Sequence, residues 1–206
     1  MAIKPAVESH ITVVPAAPSR WRDMEILFGN SACWCQYWRQ SSSDYGRGTK
    51  VDLQKNISKH KSALRAQLHH PSPPGMLAYI DSQPAGWCGF GPRSEMMRLV
   101  RSRTIPAIDD LPVWSIVCFM IRVGYRRRGV ARTLLRGAIQ CAREYAAPAL
   151  EAYPVDPGGR RIDVSFAYVG TTAMFEQEGF QRIVETSARS ASLPRWLMRL
   201  DLTQSQ

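Results

Sequence analysis

The chain has 206 residues, 45% hydrophobic and 21% charged, enough to bury a core and sized for one domain. That composition excludes a disordered or collagen-like chain, and the longest apolar run, Val113 to Ile121, is about half of what a membrane-spanning helix needs. Lys+Arg of 27 against Asp+Glu of 17 gives +10, a balance that suits a polyanionic partner: nucleic acid, an acidic membrane surface or a phosphorylated cofactor.

In chain order, Ile11 to Val14 reads as a strand, followed by a helix capped by Ser19, running to Leu27 and ended by Gly29. Asn30 to Thr49 is irregular. Asp52 to His69 reads as a polar, basic helix that Pro71 to Gly75 stops. Met76 to Ile80 and Pro84 to Gly91 form a hairpin about Asp81-Ser82-Gln83. An insertion, 92 to 112, carries three prolines and a helical turn near Met96 to Arg101. Val113 to Val123 is apolar at nearly every position, as a central strand covered on both faces should be.

The segment 129 to 145 then sets Ala131, Leu134, Leu135, Ala138, Ala142 and Tyr145 on one helical face. Gly137 inside it costs about 1 kcal/mol relative to alanine, which predicts close packing on the sheet. Pro148 to Tyr153 reads as a strand and Thr171 to Glu178 as a short helix closed by Gly179. Phe180 to Glu185 and Trp196 to Asp201 complete the series as a strand pair. No repeat or linker divides it, so one α/β domain, 1 to 206, is expected.

Five cysteines, Cys33, Cys35, Cys88, Cys118 and Cys141, are an odd number, which favours reduced thiols over a disulfide framework. Cys33 and Cys35 form a C-x-C with no second Cys/His pair at zinc spacing, so no metal site is expected. The first 18 residues lack the leucine-rich block of a secretory signal, and a bacterial-type cytoplasmic setting is expected.

The charge is concentrated. Ten arginines stand against three acids between residues 93 and 136, so +7 of the +10 lies there. Within that stretch Arg126-Arg127-Arg128-Gly129-Val130-Ala131 joins the buried strand to the amphipathic helix, and the unpaired amides of a helix start face whatever occupies it. Free N–H donors, the positive helix end and three arginines suit a diphosphate. The segment lacks the G-K-[ST] of a Walker loop and two of the three glycines of a dinucleotide fingerprint.

These residues resemble the GNAT acetyltransferase superfamily. Its acyl-CoA signature, R/Q-x-x-G-x-G/A after an apolar strand, is matched by Phe119 through Ala131, and Met174-Phe175-Glu176-Gln177-Glu178-Gly179-Phe180 matches a second block. The likeness covers about residues 76 to 201. It implies a mixed, mostly antiparallel twisted sheet flanked by helices, an acyl-CoA core at about 113 to 183, and an acceptor-side part at about 17 to 75. It implies acetyl-CoA as cofactor, with the pantetheine arm on the backbone of Phe119, Met120 and Ile121. Arg126, Arg127, Arg128, Gly129, Val130, Ala131 and Arg132 would hold the pyrophosphate, with Phe175 beside the cofactor.

The family moves an acetyl group from the thioester directly to an amine, which calls for a neutral nucleophile, an oxyanion donor and a proton for the leaving thiolate. Phe175 stands where many members carry the acid tyrosine, and Tyr168 where they carry an asparagine. Tyr168, Tyr153 or a water is then the proton source. Glu151, the acid on the strand after the motif helix, is the candidate base, its alternatives being solvent exposure or an arginine partner. Cys118 on the motif strand invites an acetyl-cysteine or is inert packing.

Trp34, Tyr37, Trp38 and Trp87 give an aromatic density that either walls a pocket for a planar or cationic amine or belongs to the core. Asp109 and Asp110 could hold a basic amine. The expected function is N-acetyl transfer to a small-molecule amine, by an enzyme for which a homodimer is compatible and neither nucleic acid nor membrane is a partner. The rivals are a non-catalytic acyl-CoA-binding protein, suggested by Phe175, and a basic nucleic-acid-binding module.

Overall fold

The computed structural model describes residues 10–45, 50–160, 163 and 167–203. The first strand, β1 (Ile11–Pro15), pairs with β2 (Gly75–Ile80), and β2 turns into β3 (Gln83–Pro92) through Asp81 and Ser82, both left-handed at φ 50° and 62°. Two successive positive φ values give a tight turn whose twist matches its strands. With β4 (Trp114–Ile121), β5 (Ala149–Ala152), β6 (Gln181–Ser190) and β7 (Leu193–Asp201) they form a seven-stranded sheet ordered β1-β2-β3-β4-β5-β7-β6. Only β4 and β5 run parallel. This is the expected α/β fold with its mixed, mostly antiparallel sheet.

Helices cover both faces. The helices are α1 (Trp21–Phe28), α2 (Ser42–Tyr45), α3 (Lys50–Gln67), α4 (Met97–Val100), α5 (Val130–Glu144) and α6 (Thr172–Glu176). Because side chains alternate along a strand, Met76, Ala78 and Ile80 of β2 pack with Leu134, Leu135 and Ala138 of α5, while Leu77 and Tyr79 meet Met24, Phe28 and Leu64 of α1 and α3. Gly137 allows the close approach its sequence suggested, since a Cβ there would collide with Cγ1 of Val13.

Two irregularities shape the middle of the sheet. Gly89 faces Cys118 but Phe90 faces Ile116, so Val117 is an extra residue in β4, a bulge. It flips the alternation: Trp114, Ile116 and Phe119 face α5, and Cys118 and Met120 face the α1 side. Secondly, β4 pairs with β5 only from Trp114 to Ile116, while β4 continues to Ile121. One edge of its last five residues is therefore left without a strand partner, and the 3-10 turn Ala167–Val169 lies against it.

Several expectations change. Ser19 lies inside a 3-10 turn, Pro18–Arg20, and caps nothing. The strand ends at Ile121, leaving Val123 80% exposed. Tyr145 is half exposed because it follows the last helical residue; its hydroxyl donates to the Pro71 carbonyl and its ring rests on Trp114. The last two strands extend to a tight turn at Ala191 and Ser192, left-handed at φ 50° and 63° without the glycine or asparagine that marks such turns. No helix among the described residues is long and apolar enough to cross a membrane.

Candidate active site

The basic turn forms as its sequence requires. Gly129, left-handed at φ 82°, is the cap residue of α5, and no side chain caps the helix, so the first-turn amides remain available. Arg127 is also left-handed at φ 62°. Arg126 folds back so that its Nε donates to the Ile121 carbonyl at 3.1 Å, tying the turn to the end of β4. Among the described residues, a Cβ on Gly129 would meet only Ile11 Cδ1, at 4.0 Å.

From this turn a cleft of about 610 Å³ runs along the open edge of β4, lined by Arg126, Arg127 and Ala131 at one end, Phe119, Met120 and Ile121 along one wall, and Tyr168, Gly170, Thr171 and Met174 opposite. A shallower hollow of about 330 Å³ continues it past Gly129, Val130 and Arg132. Arg128 lies outside both linings, its guanidinium 5.8 Å from the Tyr125 ring. Arg132 also engages Gln177 and, at 3.7 Å, Glu178. Phe175 does not line the cleft: fully buried, its ring sits edge-on to Phe119 and Phe180, in the core beside Phe119.

Phe119, Met120 and Tyr168 also line a second, apolar cavity of about 370 Å³, whose remaining wall is Cys33, Cys35, Tyr37, Trp38, Tyr45 and Cys118. Of the four expected acceptor residues, Tyr37 and Trp38 are here. Trp34 and Trp87 are not: Trp34 stacks on Trp21 and Phe28, Trp87 meets Phe28 edge-on, and both are core. Cys33, Cys35 and Tyr45 escaped the sequence reading because their approach to Cys118 depends on a long loop folding over the sheet. Gly170 and Thr171 likewise follow a segment without periodicity. The five cysteines are free thiols.

Glu151 and Tyr153 are set apart from both hollows. Glu151 pairs in register with Ser115, four residues before Phe119, and is 1% exposed. Its carboxylate accepts from Arg199 Nη2 at 2.6 Å and from the Tyr153 hydroxyl at 2.9 Å, with Arg93 at 3.8 Å. Ser115 lies 2.9 Å from that same hydroxyl, so Tyr153 is saturated. Arg199 also grips Asp109 with two bonds, at 2.5 and 3.1 Å, which holds the Asp109 carboxyl below the usual range. The buried cluster fastens the insertion to the sheet. It leaves Tyr168 as the candidate acid lining the cleft, a phenol whose pKa is raised by burial and which stays protonated.

Comparison with known proteins places the fold in a family. Residues 34–161 match the model of the acetyltransferase (GNAT) family. The chain belongs to that family. Solved structures share the fold at low identity: an N-acetyltransferase from Staphylococcus aureus Mu50, 12% identical with a TM-score of 0.52, covers 95% of this chain and 100% of its own. The protein yncA of Salmonella typhimurium, solved with its cofactor acetyl-CoA, is 13% identical at 0.52, covering 95% of each chain. The paia N-acetyltransferase from Thermoplasma acidophilum, in complex with coenzyme A, is 13% identical at 0.51, covering 93% and 99%. No protein of curated function matches significantly.

Proposed function

We propose that the chain is an acetyl-CoA-dependent N-acetyltransferase that passes the acetyl group directly to the amine of a small molecule. One observation carries the reading: the cleft that runs from the uncapped start of α5 along the unpartnered edge of β4 shares Phe119, Met120 and Tyr168 with the apolar cavity beside it.

The residues fit the cofactor. The amides from Arg127 to Arg132, with the Arg126 and Arg127 guanidiniums, would hold the pyrophosphate. The open edge of β4 at Phe119 to Ile121 would take the pantetheine arm. When bound, acetyl-CoA supplies an acetyl group activated as a thioester. The chain's own contribution is threefold. A backbone N–H on the open edge would serve as donor to a developing negative charge on the acyl oxygen, an effect of about 3 kcal/mol where single donors have been removed in other enzymes. The cavity is lined by no carboxylate among the described residues, and its apolar walls make an ammonium ion costly while the Cys35 thiol is protonated. Tyr168 holds a proton at its hydroxyl at the junction of cleft and cavity, where a thiolate would leave.

Calorimetry with coenzyme A, followed by a thiol-release assay with acetyl-CoA and a broad amine panel, tests this. Binding plus amine-dependent thiol release is expected. Binding without release from any amine would favour a non-catalytic acyl-CoA-binding protein, and absence of binding would remove the reading.

A further inference from the structure

Arg98, Arg101, Ser102 and Thr104 of the arginine-rich insertion meet the loop residues Tyr37, Trp38 and 41–43 around a further hollow of about 370 Å³. Tyr37 and Trp38 line both it and the apolar cavity, and Phe119, Met120 and Tyr168 line both that cavity and the cleft, so the three hollows adjoin in that order. Its chemistry differs from that of its neighbour: Ser41, Ser43, Ser102 and Thr104 supply hydroxyls, and Arg98 and Arg101 supply two guanidiniums.

Arg98 is positioned rather than loosely exposed. Its backbone N–H donates to the Trp38 carbonyl at 3.0 Å, and its guanidinium lies 4.2 Å from the Tyr37 ring centre and 5.3 Å from that of Tyr45. Its Nε is buried and has no hydrogen-bond partner. Among the described residues neither Arg98 nor Arg101 forms an ion pair. The carboxylate of Asp44, next to this wall, is bound at 2.5 Å by the Ser41 hydroxyl. Behind Trp38 stands another guanidinium, Arg195, at 5.7 Å. An N–H sealed from water without an acceptor is costly, and two planar guanidiniums beside hydroxyls match an oxyanion with several acceptor atoms.

We propose that this hollow binds a carboxylate or phosphate at the far end of the acceptor, whose amine enters at Phe119 and Met120 while its apolar body fills the cavity between. The acceptor class is thus an amine with an apolar or aromatic body and a distal anion, and a polyamine is disfavoured by positive charge without any lining carboxylate. The inference rests on the acetyl-transfer reading above.

Matched amines test it: 2-phenylethylamine, phenylalanine with its carboxylate beside the amine, 4-(2-aminoethyl)benzoate with a distal carboxylate, and 4-(2-aminoethyl)phenyl phosphate. The distal anions should lower KM about tenfold relative to 2-phenylethylamine, as a charge-assisted bond would, and phenylalanine should not. The two distal compounds distinguish carboxylate from phosphate. In Arg98→Gln combined with Arg101→Gln the ratio should fall to about one. Equal KM values for 2-phenylethylamine and both distal anions would overturn the proposal. Calorimetric titration of 4-(2-aminoethyl)benzoate into wild type and double variant needs no turnover. Binding that depends on the arginines supports the hollow even if acetyl transfer fails, and binding that is absent or indifferent to them sinks it.

Discussion

The Cys35 sulfur stands where a Cβ on Gly89 would have to go. To bring it there the loop places Trp34 and Cys35 in succession in left-handed backbone, at φ 43° and 57°, a conformation costly for residues other than glycine. Gly89→Ala should therefore force the loop off β3 and lower unfolding free energy by about 1–3 kcal/mol, the usual range for overpacking. Urea denaturation measures it. Adding Cys35→Ala should recover part of the loss, and an alanine variant as stable as wild type would show that the contact does not constrain the loop.

That sulfur is also poised to ionise. A hydrogen bond from the Cys118 thiol is the chief cause, aided by the Arg39 guanidinium and the Trp87 indole N–H and opposed by burial; together they bring Cys35 down to about 7. Cys118 and Cys88 are pushed up instead, and burial also raises Cys33. Arg39 is itself buried, with Glu95 at 3.9 Å, and Cys35 is the other acidic group acting on it. Only the thiolate is alkylated, so iodoacetamide labelling of Cys35, read by peptide mapping, should rise with pH to a midpoint below that of an ordinary thiol. Cys118→Ala removes the main stabilising donor and should move the midpoint upward. A wild-type midpoint near an ordinary thiol's would disprove the arrangement.

Much of this was legible in the sequence, though unevenly. The motif turn was readable because its chemistry is local: Arg126 to Ala131 lie between a buried strand and an amphipathic helix, and both elements carry strong patterns. Gly137 announced its contact with Val13 by being a poor helix residue in a good helix. What sequence could not supply was non-local. The fate of Glu151 was set by Arg199 and Arg93, 48 and 58 positions away, and nothing in the strand around it distinguished an ion-pair anchor from a base. Tyr37 and Trp38 differ from Trp34 and Trp87 only in which way the loop turns. The bulge at Val117 has no marker residue, yet it decides that Cys118 faces the α1 side and Phe119 the α5 side.

Tyr168 and the Glu151 cluster should separate cleanly on mutation. Tyr168→Phe removes the phenol that lines cleft and cavity, so kcat should fall by about one hundredfold, the lower end for general acid catalysis, with coenzyme A affinity retained. Glu151→Gln instead leaves Arg199 and Arg93 facing a neutral amide in a buried site, and should cost about 3 kcal/mol of stability. Its turnover per folded molecule should change little. Measuring melting and kcat for both variants decides the matter: a full-rate Tyr168→Phe would leave water as the proton source, and a folded but inactive Glu151→Gln would return that carboxylate to the chemistry.

The basic turn makes its own prediction through salt. Arg126 and Arg127 line the cleft end where the α5 amides are free, so their attraction for a diphosphate combines a fixed helix-end component with a mobile, solvent-screened one. Arg127→Gln with Arg126→Gln should weaken coenzyme A binding about tenfold at low ionic strength, and less at high, because salt already screens the exposed guanidiniums. The amide contribution should persist in the double variant as weaker, nearly salt-independent binding. Gly129→Ala acts on the other component: at φ 82° an added Cβ strains the cap, so affinity should fall at both salt concentrations alike. Calorimetry at two ionic strengths reads both, and an arginine variant that binds as wild type at low salt would mean that the cleft end is not where the phosphates sit.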